Sequence, residues 1–145
     1  MIECSNSIDI QRPLSTVAFY AANPDRAISW YQNIKKVTWL TPRPLQKGSR
    51  LLFEARFMGR SMRYTYEVIE YEPKKMLVME ASDGPFPMKT TYRWEQVGPD
   101  RTRMTLINAG GNFKWFRKWA IRSMNKANQK DLLQLKRILE AHQRS

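Results

Sequence analysis

FKWFRKWAIRSMNKANQKDLLQLKRILEAH, residues Phe113 to His142, runs thirty residues without a glycine or a proline. At 1.5 Å per residue it predicts a helix of about 45 Å, long enough to cross a small domain. Gly110 and Gly111 precede it, and Asn112 is placed to cap it. At 100° per residue, Phe113, Phe116, Ala120, Met124, Ala127, Leu135, Ile138 and Leu139 share one side. Lys114, Lys118, Arg122, Lys126 and Lys130 step along the other. The rest of the chain reads as a curved sheet holding the apolar side.

Glu3 to Ile10 is an expected first strand, closed by Arg12-Pro13. Ser15 is placed to cap a short helix through Val17, Phe19 and Tyr20. Asn23-Pro24-Asp25 combines an N-cap, a proline at the first helical position and an acid in the first turn. It starts a second short helix carrying Ile28, Trp30 and Tyr31. Six strands follow: Lys35 to Leu40, Ser49 to Met58, Ser61 to Glu72, Met76 to Ser82, Pro87 to Val97 and Arg101 to Ala109. Alternation is clearest in the fourth of the seven, where Met62, Tyr64, Tyr66 and Val68 share a face opposite Arg63, Thr65, Glu67 and Ile69. Met88, Thr90, Tyr92 and Trp94 share one side of the sixth; Thr102, Met104, Leu106 and Asn108 share one side of the seventh. The joining turns are hairpin-sized, which implies an antiparallel meander. One face of that sheet needs a cover, and only the long helix is large enough.

The 145 residues suit one domain, residues 1–145, with no linker or repeat. The net charge of +12 favours an anionic partner, and plain solubility is the alternative. Cys4 stands alone, so no intrachain disulfide forms. The N-terminal ten residues lack the apolar core of a signal peptide, and no apolar run approaches membrane-spanning length. A soluble, cytoplasmic protein is expected.

The chain resembles the START/polyketide-cyclase superfamily (SRPBCC), and within it the polyketide cyclase/dehydrase group. The resemblance lies in the order and spacing of short strings. They are Ile10 with Arg12-Pro13, Asn23-Pro24 before Trp30, Gly48 before Phe53, Gly59-Arg60, and Tyr64-Thr65-Tyr66-Glu67-Val68 with Tyr71 and Pro73. Gly84-Pro85-Phe86-Pro87, Tyr92, Asp131-Leu132, Leu135-Lys136 and Leu139-Glu140 follow. The resemblance implies an α+β helix-grip fold, a seven-stranded antiparallel sheet wrapped around the C-terminal helix with an apolar cavity between. It implies a business of binding lipids, hormones, polyketides or other apolar molecules.

Phe53, Phe57, Tyr64, Tyr66, Tyr92, Trp94, Leu106 and Met124 lie on expected inward faces, and Trp30 joins them as a candidate ligand contact. Ordinary core is the alternative. Buried tyrosine and tryptophan need hydrogen-bond partners, which a ligand or trapped water supplies. Met62, Met79 and Met88 nearby suit a wall that adapts to shape. Asp131 falls inside the apolar stripe, where a carboxylate needs a partner or a wet pocket. It reads as a polar anchor for the ligand, or as one half of an ion pair with a nearby cation.

Catalytic motifs are absent from the sequence. It holds no Gly-x-Ser-x-Gly, no His-Glu-x-x-His and no Cys/His cluster, and its one histidine is His142. No metal or other cofactor is expected. Asp131, Glu80 and Tyr64 are the candidate acids or bases. Glu54, Glu67 and Glu95 belong to outer faces.

From Phe113 to Ser145 nine basic residues face two acidic ones, a net of +7 within the chain's +12. Cations at a helix start oppose the helix dipole. Lys114, Trp115, Lys118, Trp119, Arg122 and Lys126 together suit an anionic membrane interface. A solvated face is the alternative, and nucleic acid is disfavoured for want of a recognised motif. Three functions follow: binding or transport of a small apolar or amphipathic molecule, a metal-free cyclase/dehydratase-type enzyme, and a membrane-surface adaptor.

Overall fold

Arg12 and Pro13 end the first strand, because proline has no N–H to continue the ladder. The computed structural model describes residues 2–57, 59–84, 87–111 and 117–141, with backbone alone for Phe57 and residues 117–120. Strand β1 spans Ile2–Ile10. Helix α1, Leu14–Ala22, starts directly after Pro13, which is its N-cap residue; Ser15 is already inside the helix and caps nothing. Val17, Ala18, Ala21 and Ala22 are buried while Phe19 is exposed. The helix therefore packs through small side chains.

The Asn23 side chain accepts from the Asp25 N–H at 3.0 Å, and Pro24–Arg26 forms a 3-10 turn. Helix α2, Ala27–Trp30, follows; it buries Trp30, exposes Ile28 and ends before Tyr31. The remaining strands are β2 (Ile34–Trp39), β3 (Arg50–Phe57), β4 (Arg60–Glu72), β5 (Met76–Ala81), β6 (Met88–Gly98) and β7 (Arg101–Gly110). Each lies within about a residue of its expected bounds, except where Met58 falls outside the described residues.

All seven strands form one curved antiparallel sheet in the order β1-β7-β6-β5-β4-β3-β2. Strands β2 to β7 are the expected meander. The two short helices carry the chain from β1 at one edge to β2 at the other. Phe53, Tyr64, Tyr66, Val68, Leu77, Met79, Tyr92, Trp94, Met104 and Leu106 line the buried face. Glu67, Glu80, Arg93, Glu95 and Arg103 are exposed opposite them.

Helix α3, Arg117–Ala141, covers the inner face. Asn112, Phe113, Lys114, Trp115, Phe116 and His142 lie outside the described residues. Among its described side chains the buried positions are Asn128, Asp131, Leu132, Leu135 and Leu139, which fall on one face of the helix. The seam thus runs through Asn128 and Leu132, while the expected Met124, Ala127 and Ile138 are half-buried at its flank. Tertiary packing turned the helix slightly from the phase of its apolar residues alone.

Strand β1 and α3 run alongside each other in step. The Cys4 thiol donates to the Ile121 carbonyl at 3.4 Å. Asn6 meets Asn125, Asn128 and Gln129; Lys136 donates to the Asp9 carbonyl at 2.8 Å; Gln11 and Arg12 reach Glu140. From Cys4 to Arg12 a strand rises about 26 Å. From Ile121 to Glu140 a helix rises about 28 Å, so the two stay matched along their length.

Candidate functional site

Between α3 and the inner face of β3, β4 and β6 lie two groups of aromatic rings. Alternation in β3 and β4 brings Phe53, Tyr64 and Tyr66 together, with ring centroids 5.1 to 5.9 Å apart. The end of α2 brings Trp30 and Tyr31 to β6. There Trp30 lies 4.2 Å from Tyr31 and 5.7 Å from Tyr92, and Tyr92 lies 6.0 Å from Trp94. The Tyr31 and Tyr92 hydroxyls share a 2.6 Å hydrogen bond.

Asp131 is 5% exposed and accepts a 3.0 Å hydrogen bond from the Gln32 N–H, just beyond α2. This joins α3 to the α2–β2 turn. Among the described residues Asp131 makes no ion pair, the alternative that the sequence offered; its partner there is a neutral amide. Burial pushes the Asp131 carboxyl from an ordinary 3.8 up to about 6, and the Gln32 N–H offsets only part of that. Its charge also acts on Tyr31, Tyr64 and Tyr92. Desolvation is the largest cause holding these three phenols well above their usual range, so all stay protonated at neutral pH. Burial pushes Tyr66 up to about 12, against the opposing pull of its bond to Thr90.

Two further donors stand in this region. The indole N–H groups of Trp30 and Trp94 are buried without a hydrogen-bond partner among the described residues. An unsatisfied buried donor costs about 1–3 kcal/mol. Such groups are uncommon in a purely structural core.

Most of the expected contacts converge here. Trp30, Phe53, Tyr64, Tyr66, Tyr92, Trp94 and Asp131 are buried, and Leu106, fully buried on β7, stands opposite Tyr92. Met124 is half-buried on α3, two turns before Asp131. The Phe57 side chain is not among those described. Glu80 leaves the set, because it is exposed on the outer side of β5. Of the six basic-face residues, Arg122 and Lys126 are exposed. Lys114 and Trp115 lie outside the described residues, as do the side chains of Lys118 and Trp119.

Tyr31, Thr90, Asn108 and Asn128 belong to the site and were not among the expected contacts. Thr90 and Asn108 did carry a signal, as polar residues at inward positions of β6 and β7. Tyr31 and Asn128 carried none: the placing of Tyr31 depends on where α2 ends, and that of Asn128 on how α3 is turned against the sheet. Among the described residues, no group of histidine, cysteine, aspartate and glutamate is arranged to hold a metal ion. No described helix is long and apolar enough to cross a membrane.

The family described as polyketide cyclase/dehydrase and lipid transport matches residues 1–140. No curated protein sequence matches. Solved structures with the same fold include a Thermus thermophilus protein at 18% identity and a TM-score of 0.82, covering 97% of this chain and 99% of that one. A START superfamily protein from Mycobacterium smegmatis superposes with a TM-score of 0.84 at 13% identity, over 96% and 97% of the two chains. An aromatase/cyclase from a Streptomyces species superposes with a TM-score of 0.72 at 12% identity, over 97% and 92%.

Proposed function

The chain belongs to the polyketide cyclase/dehydrase and lipid transport family, and from that premise we propose that it binds a small apolar or amphipathic molecule between the sheet and α3. Residues 1–145 act as a single ligand-binding domain. Phe53, Tyr64, Tyr66, Tyr92, Trp94, Leu106 and Met124 supply the apolar wall, with Trp30 at one end. Asp131 and the Tyr31–Tyr92 pair meet the polar part of the ligand. One observation carries this reading: polar groups are concentrated where a structural core would be apolar. Four phenols, a carboxyl group and two indole N–H groups that have no partner among the described residues lie between one helix and one sheet. A ligand carbonyl or ether oxygen satisfies the indole donors, a ligand hydroxyl also serves the carboxyl and phenol oxygens, and the ligand excludes water.

An apolar fluorescent probe is expected to bind the folded protein one to one. Tyr66→Trp or Met124→Trp, which add bulk among the lining side chains, should block it. No probe binding, or unchanged binding in both folded variants, overturns the ligand reading. Native mass spectrometry followed by solvent extraction then identifies what co-purifies.

A second reading, a metal-free cyclase/dehydratase, draws support from Asp131. A buried carboxyl near 6 can take or give a proton close to neutral pH, beside phenols that remain protonated. Turnover of an aromatic polyketone lost in Asp131→Asn and kept in His142→Ala separates catalysis from carriage. The exposed Arg122, Lys126 and Lys130 support a third role, peripheral contact with acidic lipid.

A further inference from the structure

Tyr66 stands at the inner end of a hydrogen-bond chain that crosses the sheet and finishes on the surface of α3. Its hydroxyl lies 2.6 Å from Thr90 Oγ1. Thr90 Oγ1 donates to Asn108 Oδ1 at 2.7 Å. Asn108 Nδ2 donates to Asn128 Oδ1 at 2.7 Å, and Asn128 Nδ2 to Asn6 Oδ1 at 3.1 Å. Asn6 Nδ2 spends its two protons on Asn125 Oδ1 and Gln129 Oε1. Every link points outward.

That direction decides what Tyr66 can do. Thr90 has one hydroxyl proton and gives it to Asn108, so the 2.6 Å contact exists only if Tyr66 donates. The Tyr66 proton is then committed, and its oxygen retains only lone pairs. Tyr66 is 6% exposed, and its charge would act on Tyr31, Tyr64 and Tyr92, so that oxygen sits among the other phenols. Carboxamides pass no proton at neutral pH, so the chain is no proton path. Its consequence is positional: it fixes which way one hydroxyl points.

We propose that this chain makes Tyr66 an obligate hydrogen-bond acceptor, so that the interior selects a ligand bearing a hydroxyl or N–H donor at that point. The proposal rests on the ligand reading above. Thr90, Asn108 and Asn128 are positioning residues that act through Tyr66. An ether oxygen or carbonyl placed there would set lone pair against lone pair and leave both unsatisfied, whereas a hydroxyl gains a bond.

The test compares 2-naphthol with 2-methoxynaphthalene, the same ring with and without its donor, by titration of the folded protein. Wild-type protein should bind 2-naphthol about tenfold more tightly. Tyr66→Phe should abolish the preference. Thr90→Val frees the Tyr66 proton and should shrink or reverse the preference, while Thr90→Ser restores it; a purely structural role for Thr90 would not move the ratio. Should Thr90→Val not fold, Tyr66→Phe alone decides. A preference untouched by Tyr66→Phe, or a wild-type preference for the ether, overturns the proposal and leaves the ligand reading standing. If neither probe binds wild-type protein, the ligand reading and this proposal fall together.

Discussion

Asp131 sits where α3 meets the α2–β2 turn, and its protonation has a sign that can be measured. Its folded value near 6 exceeds an ordinary 3.8, with burial the largest cause. Below pH 4 both folded and unfolded states hold the proton. Between pH 4 and 6 the folded state keeps it after the unfolded state has lost it. The stability that the neutral acid contributes is therefore full below pH 4 and is lost as pH rises through 6. The shift corresponds to at most about 3 kcal/mol. Asp131→Asn keeps an oxygen for the Gln32 N–H and removes the titration. Denaturant unfolding from pH 4 to 7 should show the variant gaining on wild type by up to about 3 kcal/mol as pH rises. Asp9, Asp25 and Asp83 slope the other way, each lowered by hydrogen bonds, to Arg103, Arg43 and Thr65 respectively, so only the difference between the two proteins isolates Asp131.

The element that most needs an external brace is α3, whose last turn leaves carbonyls without intrahelical partners. Arg12, 7% exposed, supplies a donor from just beyond β1. Its Nη2 donates to the Glu140 carbonyl at 2.6 Å, and its Nη1 donates to the Gln11 carbonyl. A cation at this end also complements the helix dipole. The Thr102 hydroxyl in turn donates to the Arg12 carbonyl at 2.9 Å. Around it, the Gln11 N–H and Lys136 Nζ both donate to Glu140 Oε2, at 2.8 and 2.6 Å. Arg12→Ala should cost about 2–3 kcal/mol, read from the denaturation midpoint, because it removes charge-assisted bonds and leaves carbonyls buried. Hydrogen exchange should rise first in the turn around Ile138 to Ala141. Unchanged exchange there would mean that the apolar seam, and not Arg12, holds the helix end.

At the scale of the molecule, charge is the property the fold does not explain. The net charge is +12, and Arg122, Lys126, Lys130 and Arg137 stand exposed on the outer side of α3. None of the ion pairs found among the described residues involves those four. Replacing Arg122, Lys126 and Lys130 with glutamine should leave the melting temperature nearly unchanged, since none of the three is in an ion pair among the described residues. Binding to vesicles containing acidic lipid should weaken by up to about 1 kcal/mol per charge. The loss should fade as salt rises, because exposed charges are screened over about 8–10 Å near physiological ionic strength. Wild-type protein that ignores acidic vesicles at low salt would assign the basic face to solvation.

Much of this protein is written in local periodicity. Alternation at two residues places Tyr64 and Tyr66 on one face of β4 and Tyr92 and Trp94 on one face of β6, because a pleated backbone admits no other arrangement. A carboxylate in an apolar helical stripe marks Asp131 for the same reason, and short turns between strands leave antiparallel pairing as the direct solution. Other features needed the tertiary structure. The apolar residues of α3 allow either Ala127 or Asn128 to face the sheet; packing against β1 selected Asn128, and with it Leu132. The partner of Asp131 is a backbone N–H at Gln32, a group every residue but proline carries and no side-chain pattern reveals. The chain from Tyr66 to Gln129 takes members from β4, β6, β7, β1 and α3. A hydrogen bond forms only over a few ångströms and at the right angle. Which polar residues meet is therefore decided by strand register and helix rotation, and these are properties of the packed molecule.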